Sequence, residues 1–292
     1  MFIDIHTHVT LRKELTRPDG TINTTPEELV AMLDEAGIDK AVLLPLVSPE
    51  HMAQYMTTDD ILDATAMYPD RFIAFCNIDP RQLTNSPAAD FMPMLEYFKS
   101  MGCKGIGEVT ANLPFDDPRV ENLFAQVEKA GLPLIFHIGP QSGGVYGLID
   151  DLHLPKLEGA LEKFPKLNFL GHSQPFWSEI SADVTAQSRN GYPKGPVTPG
   201  RIVELMRRYP NLCGDISAGS GFNALSRDPE FGFAFMEEFQ DRLFFGTDIC
   251  RPGQELPQPP YLRKIVAEGK ISREAYEKIT WQNANRLLKL GL

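Results

Sequence analysis

Residues Asp117–Gly139 read DPRVENLFAQVEKAGLPLIFHIG, and the fold is read from this stretch outward. Asp117 and Pro118 open a helix, as N-cap and first helical residue. Val120, Leu123, Phe124 and Val127 fall on one helical face, and Gly131 supplies the stop. Pro133–Gly139 (PLIFHIG) then runs almost unbroken in apolar residues, as a parallel strand buried on both faces requires. Near the end of that strand sits His137, a polar group that needs a partner if it is buried.

Seven further runs resemble this strand: Phe2–His8 (FIDIHTH), Lys40–Val47 (KAVLLPLV), Arg71–Asp79 (RFIAFCNID), Cys103–Thr110 (CKGIGEVT), Leu167–His172 (LNFLGH), Leu212–Gly219 (LCGDISAG) and Leu243–Asp248 (LFFGTD). Their starts lie 30 to 45 residues apart, close to the length of one βα unit. Helix signals fill the gaps. Thr25-Pro26-Glu27-Glu28 reads as a capping box, with Leu29, Met32, Leu33 and Ala36 at helical spacing and Gly37 as the stop. Thr198-Pro199 and Ser272 are expected to start two more helices.

Eight such alternations in 292 residues predict an α/β protein, a single-domain (β/α)₈ TIM barrel over residues 1–292. An open doubly wound sheet shares the local pattern. The widest interval holds Ser173–Gly200, a long loop after the sixth strand, expected to rise over the barrel mouth as a lid or substrate-binding loop.

The formal net charge of −11 argues against a nucleic-acid or anionic-membrane surface, though not against a small anionic substrate. Cys76, Cys103, Cys213 and Cys250 show no C-x-x-C spacing and read as reduced thiols of an intracellular protein. There is no signal-peptide pattern and no apolar run near the ~18 residues of a membrane span. The expectation is a soluble, cytoplasmic protein, compatible with a homodimer, acting on a small molecule.

Four of the six histidines sit in the last residues of predicted strands. His6 and His8 lie two apart in the first strand, so both imidazoles can share a face. Alone, they would read equally well as surface histidines. His137 and His172 end the fifth and sixth strands, and Asp248 ends the eighth, beside the first once a barrel closes. Asp248 can also simply cap the following segment. Three imidazoles and a carboxylate suit a divalent metal, zinc first, with manganese or iron as alternatives. Glu108, near the end of the fourth strand, can bridge a second metal, move a proton or tie down a loop. His51 and His153 read as surface residues.

Together, His6-x-His8, His137, His172 and Asp248 resemble the amidohydrolase superfamily. The closing segment Ile279–Leu288 (ITWQNANRLL) is similar to the tail of its amidohydrolase-2 branch. That branch includes aminocarboxymuconate-semialdehyde decarboxylase, related aromatic-acid decarboxylases and lactone hydrolases. The resemblance spans the chain but specifies no substrate. It implies His6, His8 and His137 as metal ligands, and Asp248 as ligand and proton acceptor. His172 is implied as an acid/base beside the ligands more than as a ligand itself. Glu108 departs from the branch and resembles the fourth-strand glutamate of TatD-type nucleases, which opens the question of two metals.

The expected function is metal-dependent hydrolysis of a small carboxylated lactone, ester or amide, with Asp248 and His172 catalytic. The alternative is non-oxidative decarboxylation of an aromatic or unsaturated acid on the same centre. Arg251 and Arg81 are candidate carboxylate anchors, with solvated or loop-tying arginines as the alternative. Phe176 and Trp177 are candidate covers for an apolar part of the substrate, or equally residues that pack the loop down or bury a dimer contact.

Overall fold

The computed structural model describes residues 1–13, 15–17, 20–50 and 54–292, so His51 lies outside the described residues. Among the described residues, nine parallel strands are β1 (Ile3–Thr7), β2 (Lys40–Leu43), β3 (Phe72–Ala74), β4 (Ile106–Val109), β5 (Leu134–Gly139), β6 (Leu148–Ile149), β7 (Phe169–His172), β8 (Leu212–Asp215) and β9 (Leu243–Phe244). Eight are staves of the expected barrel. The ninth, β6, is a two-residue strand on the end of β5.

The staves form two sheets, β1-β2-β3 and β4-β5-β7-β8-β9, joined at both seams by backbone bonds. At one seam Cys76 bridges Ile106, with Lys104 N–H donating to Ala74 O at 2.9 Å. At the other, β1 meets β9: Ile5 N–H donates to Phe245 O (2.9 Å), Asp248 N–H to His6 O (2.9 Å) and His8 N–H to Ile249 O (2.8 Å). Asp4 reinforces this seam by accepting from the Thr247 N–H (3.0 Å) and hydroxyl (2.5 Å). Burial in this seam pushes the Asp4 carboxyl up to about 7.

The helices follow their sequence signals. Thr25 and Glu28 form the expected capping box on α1 (Pro26–Ala36), with Gly37 left-handed at its end. After α2 (Thr58–Met67) and α3 (Met92–Ser100), Asp117 caps α4 (Pro118–Ala130), and Gly131 closes it. Next come α5 (Pro155–Lys163), α6 (Gln174–Ser178), α7 (Arg201–Arg208), α8 (Ala218–Ser226), α9 (Pro229–Glu238), α10 (Gln258–Ala267), α11 (Arg273–Glu277) and α12 (Asn283–Leu288). Ser272 caps α11 as expected. Thr198-Pro199 does not open α7, which starts at Arg201 without a side-chain cap. The Thr198 carbonyl accepts from Ala182 N–H and Pro199 bridges Ser181, so this backbone is committed to a loop pairing instead.

The strand period decides what the barrel interior contains. Ile135, Leu170 and Cys213 belong to an inner apolar cluster. Two residues further along the same strands come His137, His172 and Asp215, on the same face and nearer the C-terminal end. A packed apolar floor thus carries the titratable groups at the end where barrel enzymes assemble their sites. Among the described residues, no helix is long and apolar enough to cross a membrane.

Candidate metal centre

His6 and His8 aim their Nε2 atoms at each other across 3.0 Å. The His6 Nδ1–H donates to Asp215 Oδ2 at 2.6 Å, and the His8 Nδ1–H donates to the Leu44 carbonyl at 3.0 Å. In neutral imidazoles those bonds leave a lone pair on each Nε2. Facing lone pairs repel unless a cation lies between them. The other donors complete a cage, since Glu108 Oε2 and Asp248 Oδ1 each stand 3.6 Å from both Nε2 atoms. Ligands about 2.1 Å from one ion stand roughly 3.0–3.4 Å apart, so the donor set and its spacing fit a divalent cation.

Charge points the same way. Burial lowers the proton affinity of His6, but Asp215, Glu108 and Asp248 outweigh it and hold the pKa well above 6.5. Desolvation, with Glu108 and Asp215 nearby, pushes the Asp248 carboxyl up to about 7. Glu108 is buried, yet His137 and His6 keep it ionised, well below the ordinary glutamate range. The cage therefore calls for positive charge that protons supply when no metal does. Metal binding must displace those protons, so affinity should fall as pH drops through about 7, by about tenfold per unit for each proton displaced. A pH series of metal-binding titrations checks the slope; a flat profile would contradict it.

A second donor group adjoins the first. Glu108 Oε1 lies 2.8 Å from His137 Nδ1 and 4.0 Å from His172 Nε2. Asp248 Oδ2 is 3.9 Å from the same His172 nitrogen. Glu108, His137 and His172 offer ligand atoms close enough to hold an ion, as do His6, His8 and Asp248. The structure thus brings all six predicted polar residues together, with His137 beside Glu108 and His172 in the second group.

Sequence reasoning missed Asp215, although it ends an apolar strand much as Asp248 does. Asp215 is fully buried, orients His6, accepts from Ser217 N–H at 3.0 Å, and lies 3.6 Å from His172 Nδ1. Ser217 Oγ stands 2.9 Å from His172 Nδ1. Asp215→Asn should preserve the fold and weaken metal binding about 10- to 100-fold, the usual cost of losing a carboxylate behind a ligating histidine. Competition with a chromogenic chelator measures it, and unchanged affinity would remove Asp215 from the centre.

Three expectations are corrected. Trp177 does not cover a substrate: it is 2% exposed, and its indole N–H donates to the Asp215 carbonyl at 2.8 Å. Gly171 and Gly214 make room for Phe176 and Trp177, whose rings would sit 2.2 Å and 2.8 Å from a Cβ at those positions. The segment after β7 therefore starts as a packed helix. Arg81 is not a free anchor, because Asp79 and Glu50 hold both its terminal nitrogens. Arg251 is exposed, and neither arginine lines the cavity beside the histidines. His153 lies at the surface as expected, 3.4 Å from Glu179.

Fold and cluster define a class: a TIM barrel with a donor set that fits a divalent metal at the C-terminal ends of its strands. The chain belongs to the amidohydrolase family, whose type 2 family model matches residues 3–290. Similar solved structures include an uncharacterised TIM-barrel protein from Bordetella bronchiseptica (20% identity, TM-score 0.65, covering 99% of this chain and 98% of that one). A probable 2-pyrone-4,6-dicarboxylic acid hydrolase from Acinetobacter baumannii, with citric acid bound, is 15% identical (TM-score 0.59, 99% of each chain). A dihydroxybenzoic acid decarboxylase from Polaromonas sp. JS666, with manganese and 2-nitroresorcinol bound, is 16% identical (TM-score 0.63, 100% and 97%). No curated protein matches the sequence.

Proposed function

We propose that the chain is a metal-dependent hydrolase of a small carboxylated lactone, ester or amide. The observation that carries this reading is Glu108, which turns one oxygen to the His6–His8 pair and the other to His137 and His172. A carboxylate between two donor groups suits a paired-ion hydrolytic centre. His6, His8, Asp248 and Glu108 would hold one divalent cation, and Glu108, His137 and His172 a second. The imidazole-rich set favours zinc, with manganese as the alternative. When bound, such cations supply Lewis acidity to the scissile carbonyl and lower the pKa of water.

The chain's own residues supply the proton transfers. Asp248 has 27% of its side chain exposed, against 4% for Glu108 and none for Asp215, so it is the carboxylate most open to substrate. It accepts the proton of the attacking water and returns it to the leaving group. Burial and the neighbouring His6 hold His172 neutral, its pKa pushed to about 3. With Ser217 at its Nδ1 and its Nε2 3.9 Å from Asp248, the neutral His172 stands beside that carboxylate without competing for its proton. The carboxylated compounds named with the Acinetobacter and Polaromonas proteins support the substrate class.

Decarboxylation of an aromatic acid is the second reading. It is supported by the likeness to the Polaromonas decarboxylase and by the Asp248–His172 pair, a suitable proton donor to carbon. One screen separates the two. Zinc- and manganese-loaded protein is given carboxylated lactones, esters and amides with proton release followed, and hydroxybenzoic acids with carbon dioxide followed. Proton release without carbon dioxide is the expected result. Carbon dioxide alone would replace hydrolysis with the second reading.

A further inference from the structure

Resting on that hydrolase reading, we propose that Arg17 selects the substrate by pairing with its carboxylate. A cavity of about 40 Å³ lies against His8, Glu108, His137, His172 and Asp248. That is room for a group the size of a carboxylate. Arg17 is the only lysine or arginine among the described residues that line it.

The guanidinium is held there by the local fold. Thr16 bridges Ile22 in a short antiparallel pairing, Arg17 N–H donates to Thr21 O at 2.7 Å, and Gly20 N–H donates to Arg17 O at 2.9 Å. This hairpin is tied to the segment just beyond Asp248, because Thr24 N–H donates to Cys250 O at 3.2 Å and Arg17 Nη1 donates to Cys250 Sγ at 2.8 Å. The first loop of the barrel and the last strand's exit therefore close on the same cavity.

Two further observations call for a ligand. Asn23 lines the cavity at 2% exposure, and among the described residues its Oδ1 has no hydrogen-bond partner, so this buried acceptor calls for a donor, an N–H or O–H elsewhere on the ligand than the carboxylate. Glu108, Asp215 and Asp248 also crowd negative charge at the centre, which repels an anionic substrate unless a cation receives its carboxylate. A guanidinium fork matches a carboxylate in charge and shape. The favoured class is thus small acids whose reacting carbonyl reaches the metal centre while the carboxylate rests on Arg17.

The test uses the metal-loaded full chain and two probes that differ by a carboxylate arm, acetohydroxamic acid and succinic acid monohydroxamate. Calorimetry gives their affinities for wild type, Arg17→Gln and Arg17→Lys. The carboxylated probe should bind wild type about 10- to 100-fold more tightly. Arg17→Gln should erase that preference and Arg17→Lys should keep part of it, with acetohydroxamate affinity unchanged in all three. A preference that survives Arg17→Gln, or is missing from wild type, overturns the role of Arg17 alone. Failure of acetohydroxamate to bind wild type overturns the metal-hydrolase reading and the Arg17 role with it. If Arg17→Gln does not fold, Arg17→Lys decides: a lowered ratio supports the role and an unchanged one overturns it.

Discussion

Replacing His8 with alanine should strip the first donor group of its cation and lower kcat/KM by about 10³-fold or more, since metal stabilisation of charge in the transition state is worth several kcal/mol. The expectation follows from how little freedom His8 has. Leu44 O fixes its tautomer, and its Nε2 meets that of His6 at 3.0 Å. Alanine removes one of two facing lone pairs and leaves Leu44 O to find water. The fold should survive, because the barrel seam at this point is made by backbone bonds. Metal content by mass spectrometry and kcat/KM on the best substrate of the screen are the measurements. His153→Asn serves as the control, since its side chain is exposed and away from the cluster, asparagine tolerates its left-handed φ of 69°, and both quantities should be unchanged. Full metal occupancy in His8→Ala would take this histidine out of the cage.

Asp248→Asn should act on the other half of the chemistry, lowering kcat by about 10²- to 10⁴-fold while leaving KM nearly unmoved, as loss of a positioned base does. Asparagine is the substitution to make. Asp248 has φ of 59°, a left-handed conformation that asparagine tolerates and alanine does not. Its backbone bonds, Asp248 N–H to His6 O and Gln254 Nε2–H to Asp248 O, are untouched by the change. The variant thus removes a charge and a proton acceptor but little shape. Metal affinity should fall less than in His8→Ala. If kcat stays within about tenfold of wild type, the base lies elsewhere.

The barrel was legible because its signals are local. Apolar runs, capping boxes and stop glycines recur along the chain, and Thr25, Asp117 and Ser272 cap the helices they were expected to cap. The six polar residues of the centre were legible for a related reason: a charged or imidazole group at the end of an apolar strand stands out. Asp215 has the same signature but passed unnoticed, because its value lies in its contact with His6, 209 positions away. Trp177 is open in the sequence between a cover and a packing residue, and only the tertiary approach of Gly214 reveals the slot that buries it. Arg81 and Arg251 stand out in the sequence only by lying close to strand ends. Arg17 sits in a polar stretch without periodicity, and nothing local announces that its hairpin bends to the centre.

The seam between β1 and β9 has a consequence for how the protein comes apart. The proposed cage draws ligands from residue 6 to residue 248, so it exists only while the first and last staves are laced together. A bound ion is then a clasp on that lacing, adding stability by mass action because the parted chain offers no cage. Opening of this seam and loss of the ion become one event. Metal release, which can be followed continuously with a dye, would time the unzipping of the barrel before any helix has melted.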